Sequence, residues 1–101
     1  MTTFFLFGTY TRESIEGIDA RRTKKTEEIV SGYGGKVRSV HALLGPYDIV
    51  IIVELPGVPE AVQVSLAISK ATGVHFTSAP AVTVADFDRL AQDALHSKTG
   101  S

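Results

Sequence analysis

The stretch Asp48-Ile49-Val50-Ile51-Ile52-Val53-Glu54-Leu55 decides the architecture, because its run of branched aliphatic residues makes a strand that is apolar on both faces. Phe4-Phe5-Leu6-Phe7, near the start of the chain, reads the same way. Strands of this kind belong in the middle of a sheet. Successive side chains of a strand point to opposite sides, so Phe5, Phe7, Val50 and Ile52 share one face, and Phe4, Leu6, Ile49, Ile51 and Val53 share the other. The chain holds too few helices to cover both.

With 101 residues, 44% apolar and 21% charged, the sequence has the size and composition of one soluble domain with a modest core. That domain is expected to span residues 1–96, with a disordered tail over 97–101. The apolar runs are strand-sized, well short of the roughly 20 residues that a bilayer span needs, and no basic segment precedes the first of them. A cytoplasmic location without membrane attachment is expected. The chain has no cysteine, which removes disulfides, thiolate nucleophiles and thiolate metal sites. A net charge of -1 provides no general attraction for nucleic acid, and the basic residues Arg21, Arg22, Lys24 and Lys25 are followed at once by Glu27 and Glu28. Such a mixed run reads as the solvated face of a helix.

Outward from the two apolar strands, the punctuation fixes the order of elements. Thr2 to Tyr10 is a strand, after which Thr11 or Ser14 can cap a helix. Gly17 obscures the start of that helix, which then continues from Ile18 through Thr26, Ile29, Val30 and Tyr33 to a stop at Gly34-Gly35. Lys36 to Leu44 alternates as a second strand, and Asp48 to Leu55 is the third. Pro59 suits the first turn of a second helix, with Ala61, Val64, Ile68 and Ala71 on its inner stripe and Val62 and Leu66 widening the buried arc. Gly73 ends it. Val74 to Val84 supplies a fourth strand interrupted at Pro80, which only a sheet edge tolerates. Asp86 can cap a last helix striped by Phe87, Leu90, Ala91 and Ala94.

The order is therefore βαββαβ plus a short C-terminal helix: an α+β, ferredoxin-like fold with a four-stranded antiparallel sheet. In that plan the first and third strands are central and both main helices cross one face. The edges then carry Arg38, Ser39, His41, Thr77 and Pro80, as the pattern requires. Leaving Phe5, Phe7, Val50 and Ile52 in water would forgo about 6 to 12 kcal/mol at about 1.5 to 3 per buried side chain. Face-to-face packing of two copies about a twofold axis removes that loss, giving a homodimer of the dimeric α/β-barrel type or a higher assembly of dimers. The last helix folding back is the alternative cover, but it is short.

The turn Gly45-Pro46-Tyr47-Asp48, running into the apolar strand through Glu54, resembles the signature of the GYD-domain family of small bacterial proteins. Thr11 after the opening strand, Arg22 in the first helix, the Gly34-Gly35-Lys36-Val37 exit and the Gly73-Val74 pair fit the same resemblance, which covers the chain to about Phe87. It implies a dimeric ferredoxin-like fold and supplies no activity. The effector-binding domain of leucine-responsive/AsnC regulators is similar in its Gly-x-Tyr-Asp turn and its glycine-valine pair, and implies binding of small metabolites between subunits. The dimeric α/β-barrel proteins, which include cofactor-free monooxygenases, share the layout.

Among polar residues Asp48 leads, since a carboxylate at the start of a central strand is costly unless hydrogen-bonded. Either it accepts backbone N–H groups and fixes the turn, or it orients a ligand or moves a proton. Tyr47 either packs its ring against a neighbour or presents its hydroxyl. Arg22 lies on the stripe of Ile18, Thr26 and Ile29, from which its head either reaches Asp48 or an anion, or snorkels at the helix edge. His41 and Tyr10 complete the candidate ligand site. His41 and His75 fall on opposite edge strands and His96 at the frayed end, so no metal and no cofactor is expected. No phosphate loop, triad or helix-turn-helix is present, so this chain alone offers nothing to nucleic acid.

Three functions fit these features. The first is a homo-oligomeric small-molecule-binding or interaction module with its pocket at Tyr47, Asp48, Arg22, His41 and Tyr10. The second is a cofactor-independent enzyme acting on a small carbonyl or aromatic compound, with Asp48 or His41 as base. The third is a structural assembly protein.

Overall fold

A computed structural model describes residues 1–96, and the C-terminal segment 97–101, read above as a tail, lies outside the described residues. The chain forms β1 (Thr2–Thr9), α1 (Arg12–Glu16), α2 (Arg21–Gly32), β2 (Lys36–Ala42), β3 (Ile49–Leu55), α3 (Val58–Thr72), β4 (His75–Ala81) and α4 (Val84–Leu95). The four strands make one sheet in the order β2-β3-β1-β4, antiparallel throughout, with β1 and β3 in the centre. This is the ferredoxin-like α+β arrangement expected from the two doubly apolar strands.

The pleat sorts the side chains as the alternation requires. Phe4 and Leu6 of β1 and Ile51, Val53 and Leu55 of β3 are buried beneath the helices, against Val30 of α2 and Ala61, Val64 and Ile68 of α3. The opposite face, carrying Phe5, Phe7, Val50 and Ile52, has no helix over it, and these residues shelter one another. The ring of Phe7 lies 5.0 Å from that of Tyr47 and 6.1 Å from that of Phe5. Val50, in the middle of this face, is only 6% exposed.

Glycines set the closest approaches. A Cβ on Gly35 would stand 2.3 Å from the carbonyl oxygen of Glu54, so only glycine lets β2 start this close to β3. Gly73 ends α3 with φ of 78°, the left-handed conformation that a side chain disfavours. The β2–β3 ladder slips by one residue between Val37 and Ser39, a bulge at Arg38. Around it Arg38 and Lys36 both reach the Glu54 carboxylate, at 3.0 and 3.6 Å.

The helical segments depart from the sequence reading in three places. The first helix is two: α1 stops at Gly17, Ile18 to Ala20 are not helical, and α2 starts at Arg21. Ile18 is accordingly exposed instead of lying on a buried stripe, and Tyr33 falls just past the end of α2. Val62 and Leu66 do not widen the buried arc of α3; they are 52% and 67% exposed, because nothing packs on that side. At the C-terminal end, β4 stops at Ala81, and the cap of α4 is Thr83, whose hydroxyl accepts the Asp86 N–H. Asp86 sits in the first turn instead. None of the residues of α4 is buried, so it covers neither face of its own sheet.

Candidate functional site

Where β1 ends and β3 and β4 begin, Thr11, Arg22, the Tyr47-Asp48 turn and Gly73 come together, whereas Gly34 to Val37 start β2 beside Glu54 at the other end of the sheet. Asp48 is held at three points: its Oδ2 accepts the Tyr10 N–H at 2.8 Å, its own N–H donates to the Gly8 carbonyl at 2.8 Å, and its carbonyl accepts the Leu43 N–H at 2.8 Å. The carboxylate thus continues the β1–β3 pairing where the backbone ladder gives out, a turn-fixing role. One oxygen of the carboxylate does this work, and the other has no hydrogen bond among the described residues.

Arg22 does not pair with Asp48 directly. Its guanidinium lies over the ring of Tyr10, 5.9 Å from the ring centre, and Nη1 donates to the carbonyl of Ser14. A half-buried cation over an aromatic face is favourable by about 0.5 to 2 kcal/mol. Tyr10 therefore joins the two: its N–H holds the carboxylate and its ring holds the guanidinium. Arg22 Nε and Nη2 and the second oxygen of Asp48 have no hydrogen-bond partner among the described residues.

The connection continues into the helical layer. Thr11 and Ser14 form a reciprocal cap on α1, with Ser14 N–H donating to Thr11 Oγ1 at 3.1 Å and Thr11 N–H donating to Ser14 Oγ at 2.7 Å. Ser14 is fully buried, and its hydroxyl also donates to the Thr11 carbonyl at 2.9 Å. Thr11 Oγ1 then donates to the carbonyl of Gly73 at 3.0 Å, tying the start of α1 to the end of α3. Ser14 and Gly73 were legible as a cap and a stop. Their meeting with Tyr10 and Arg22 depends on tertiary placement, for which a local sequence carries no signal.

Tyr47 lies beside this cluster on the helix-free face, half-buried with its ring on Phe7. His41 is exposed on β2, directly opposite Val50 and so on the same helix-free face, and no hydrogen bond joins it to Asp48 among the described residues. Four of the five candidate residues therefore form one neighbourhood, Asp48–Tyr10–Arg22 with Tyr47 adjoining it. His41 stands apart at the sheet edge. His75 is on β4, the opposite edge from His41. No group of three or more His, Asp or Glu residues is placed to hold a metal ion among the described residues. No helix among them is long and apolar enough to cross a membrane.

Clefts lie elsewhere, and two of them adjoin apolar surface. One of about 390 Å³ sits in the crook between the helix-free face and α4, lined by Thr3, Phe5, Ala81, Thr83 and Asp86. The other, about 280 Å³, is an apolar groove between α3 and β4 lined by Val58, Val62, Leu66 and Pro80, with the hydroxyls of Ser65 and Ser78 paired at 2.6 Å.

Comparison with known proteins bears on the family and the fold. No curated protein sequence matches the chain significantly. Among solved structures, the leucine response regulatory protein LrpA of Mycobacterium tuberculosis is similar in fold, with a TM-score of 0.54 and 13% identity over 82% of this chain. The match spans 51% of that protein, so this chain corresponds to about half its length. The profile of the GYD domain matches residues 4–91, a range that holds Tyr10, Thr11, Arg22, the Tyr47-Asp48 turn and Gly73. The chain belongs to the GYD domain family.

Proposed function

We propose that the protein is a homo-oligomeric module that binds a small molecule at the Tyr47-Asp48 end of the sheet. The observation that carries this reading is the Asp48–Tyr10–Arg22 arrangement, a carboxylate held by the backbone N–H of one residue and a guanidinium held over its ring. The turn uses only one oxygen of Asp48, and α1 uses only one guanidinium nitrogen of Arg22, Nη1 on the Ser14 carbonyl. The ligand would set a polar head between these two groups and an apolar body against the Phe7–Tyr47 pair. The fold likeness to a leucine response regulatory protein supports a ligand-responsive module over a structural one.

The dimer enters the same reading. Phe5, Phe7 and Ile52 form a half-buried apolar patch with no helix over it, and a twofold partner laid on that patch would bring two copies of the Tyr47-Asp48 end to the margin of one interface. Native mass spectrometry of freshly purified protein tests both parts, since it reports subunit number and any retained metabolite together. Asp48→Asn keeps an acceptor for the Tyr10 N–H while removing the charge. A folded dimer that no longer retains the metabolite is the expected result; undiminished retention by the variant would place the ligand elsewhere.

A further inference from the structure

The two borders of the helix-covered face close differently. On β2, Val37 and Val40 pack against the core, so branched side chains seal that border. On β4 the residues of this face are Phe76, Ser78 and Pro80, which stand opposite Gly8, Leu6 and Phe4 of β1. Phe76 packs against the core, but Ser78 and Pro80 stay exposed although α3 runs beside them. A serine and a proline are too small to bridge strand and helix, and α3 meets them with residues as small, Ala61 and Ser65. A groove is left. Its apolar part, about 280 Å³, has the buried Phe4 and Ala61 as floor, Val58, Val62 and Leu66 along one wall and Pro80 on the other. Past Ser65 and Leu66 it runs into a second cleft of about 230 Å³, lined also by Ser69 and His75. Ser65 stands at the junction, its hydroxyl 2.6 Å from that of Ser78. One hydrogen joins this pair and the other is left to donate, while neither the Ser69 hydroxyl nor the His75 ring has a hydrogen-bond partner among the described residues.

Size and polarity decide what such a groove takes. One turn of a helix about 10 Å across and about 5.4 Å in pitch fills about 420 Å³, so a helix could rest on the apolar part but not in it. An alkyl chain fits. Val58 to Leu66 spans about 12 Å at about 1.5 Å per residue, and an extended chain gains about 1.25 Å per carbon from bonds of about 1.5 Å, so about eight to ten carbons match it. The head of the molecule must accept hydrogen bonds, because Ser65, Ser69 and His75 offer donors at that end. It must also be uncharged: no lysine or arginine lines either cleft, and α3 ends just past Ser69 with its carbonyl groups, a negative pole that repels a carboxylate. We infer that the α3–β4 groove is a further small-molecule site, which takes a medium-chain aliphatic carbonyl compound, a ketone or an ester, with its chain along Val58, Val62 and Leu66 and its oxygen at Ser65, Ser69 and His75. It shares no residue with the Asp48–Tyr10–Arg22 arrangement and is complete in one copy of the chain.

The probe is 2-decanone, titrated into ¹⁵N-labelled wild-type protein below its solubility limit. It is expected to shift the amides of Leu66, Ser69, Phe76 and Ser78 saturably, with a dissociation constant on the order of 100 μM. Ser78→Leu closes the border as the valines of β2 do, and should weaken binding about tenfold or more with the melting temperature unchanged or raised. Ser65→Ala/Ser69→Ala should weaken it about tenfold by removing donors, and decanoate should bind wild-type protein about tenfold more weakly than the ketone. Asp48→Asn, which disables the site proposed at the sheet end, should leave the ketone affinity as it is. Absence of saturable shifts in the wild-type protein overturns the site, and loss of binding in Asp48→Asn with Ser78→Leu unaffected overturns it in favour of the sheet end. Decanoate binding as tightly as the ketone overturns the uncharged head. A changed subunit number in Ser78→Leu, with no ketone bound by the wild-type chain, makes the groove a protein contact and overturns the proposal as well.

Discussion

Asp48 shows how one side chain can be both scaffold and site. Its Oδ2 is committed to the Tyr10 N–H, so Asp48→Ala strands a half-buried donor at the sheet end and is expected to cost about 1 to 3 kcal/mol in urea unfolding. Asp48→Asn, with an acceptor in place, should stay close to wild type in the same measurement. The opposite kind of constraint acts at Gly35, where the obstacle is backbone. Gly35→Ala puts a methyl against the Glu54 carbonyl, which cannot rotate away as a side chain would. A loss of about 1 to 3 kcal/mol or failure to fold is expected on thermal unfolding, with the β2–β3 amides losing exchange protection first. The role of Asp48 was visible in the sequence because a carboxylate after Gly-Pro-Tyr at a strand start has few inexpensive conformations. That of Arg22 was visible only by half: its stripe was clear, but the ring of Tyr10 that holds it lies at the end of a different element.

At the scale of elements, the strands were easier to read than the helices. Two-residue alternation states directly which side chains share a face, and double apolarity named β1 and β3 as central before any pairing was known. Helical periodicity gives the width of an apolar arc without saying what lies against it. Val62 and Leu66 of α3 therefore resembled buried residues, although α2 packs on the other side and leaves them in water. The break between α1 and α2 was signalled by Gly17, but its length was set by Asp19. Oδ1 of Asp19 accepts the Arg21 N–H at 2.8 Å, and its carboxylate pairs with the Arg21 guanidinium at 2.7 Å, which starts α2 three residues later than Ile18. The Arg21 side chain, and then its backbone N–H, hold the Asp19 carboxyl below its ordinary 3.8. A lowered value means that this contribution is present above pH 3.8 and fades as pH falls through the folded-state value. In an NMR titration Asp19 should therefore protonate at lower pH than a free aspartate, and Arg21→Gln should move it back towards 3.8. Both groups are exposed, so the unfolding midpoint should hardly change.

For the molecule as a whole, the question is what one chain leaves uncovered. A sum over fully exposed Phe5, Phe7, Val50 and Ile52 overstates the loss, since Val50 is already sheltered and Phe7 leans on Tyr47. What is left is still an apolar centre on a polar surface. Ile52→Lys places a charge in that centre without touching the helix-covered core. If the helix-free face is the dimer interface, sedimentation velocity is expected to show dimers for the wild-type chain and protomers for the variant, with the circular dichroism spectrum unchanged. A dimer that tolerates the lysine would exclude the helix-free face as its interface.

The bulge at Arg38 and the proline at position 80 lie on the two outer strands, β2 and β4, one on each border of the sheet. An incoming β-segment needs a straight, regularly spaced row of donors and acceptors, and it meets a kink on one border and a missing amide on the other. Lateral growth of the sheet, the first step towards fibril formation, is thereby discouraged on both sides.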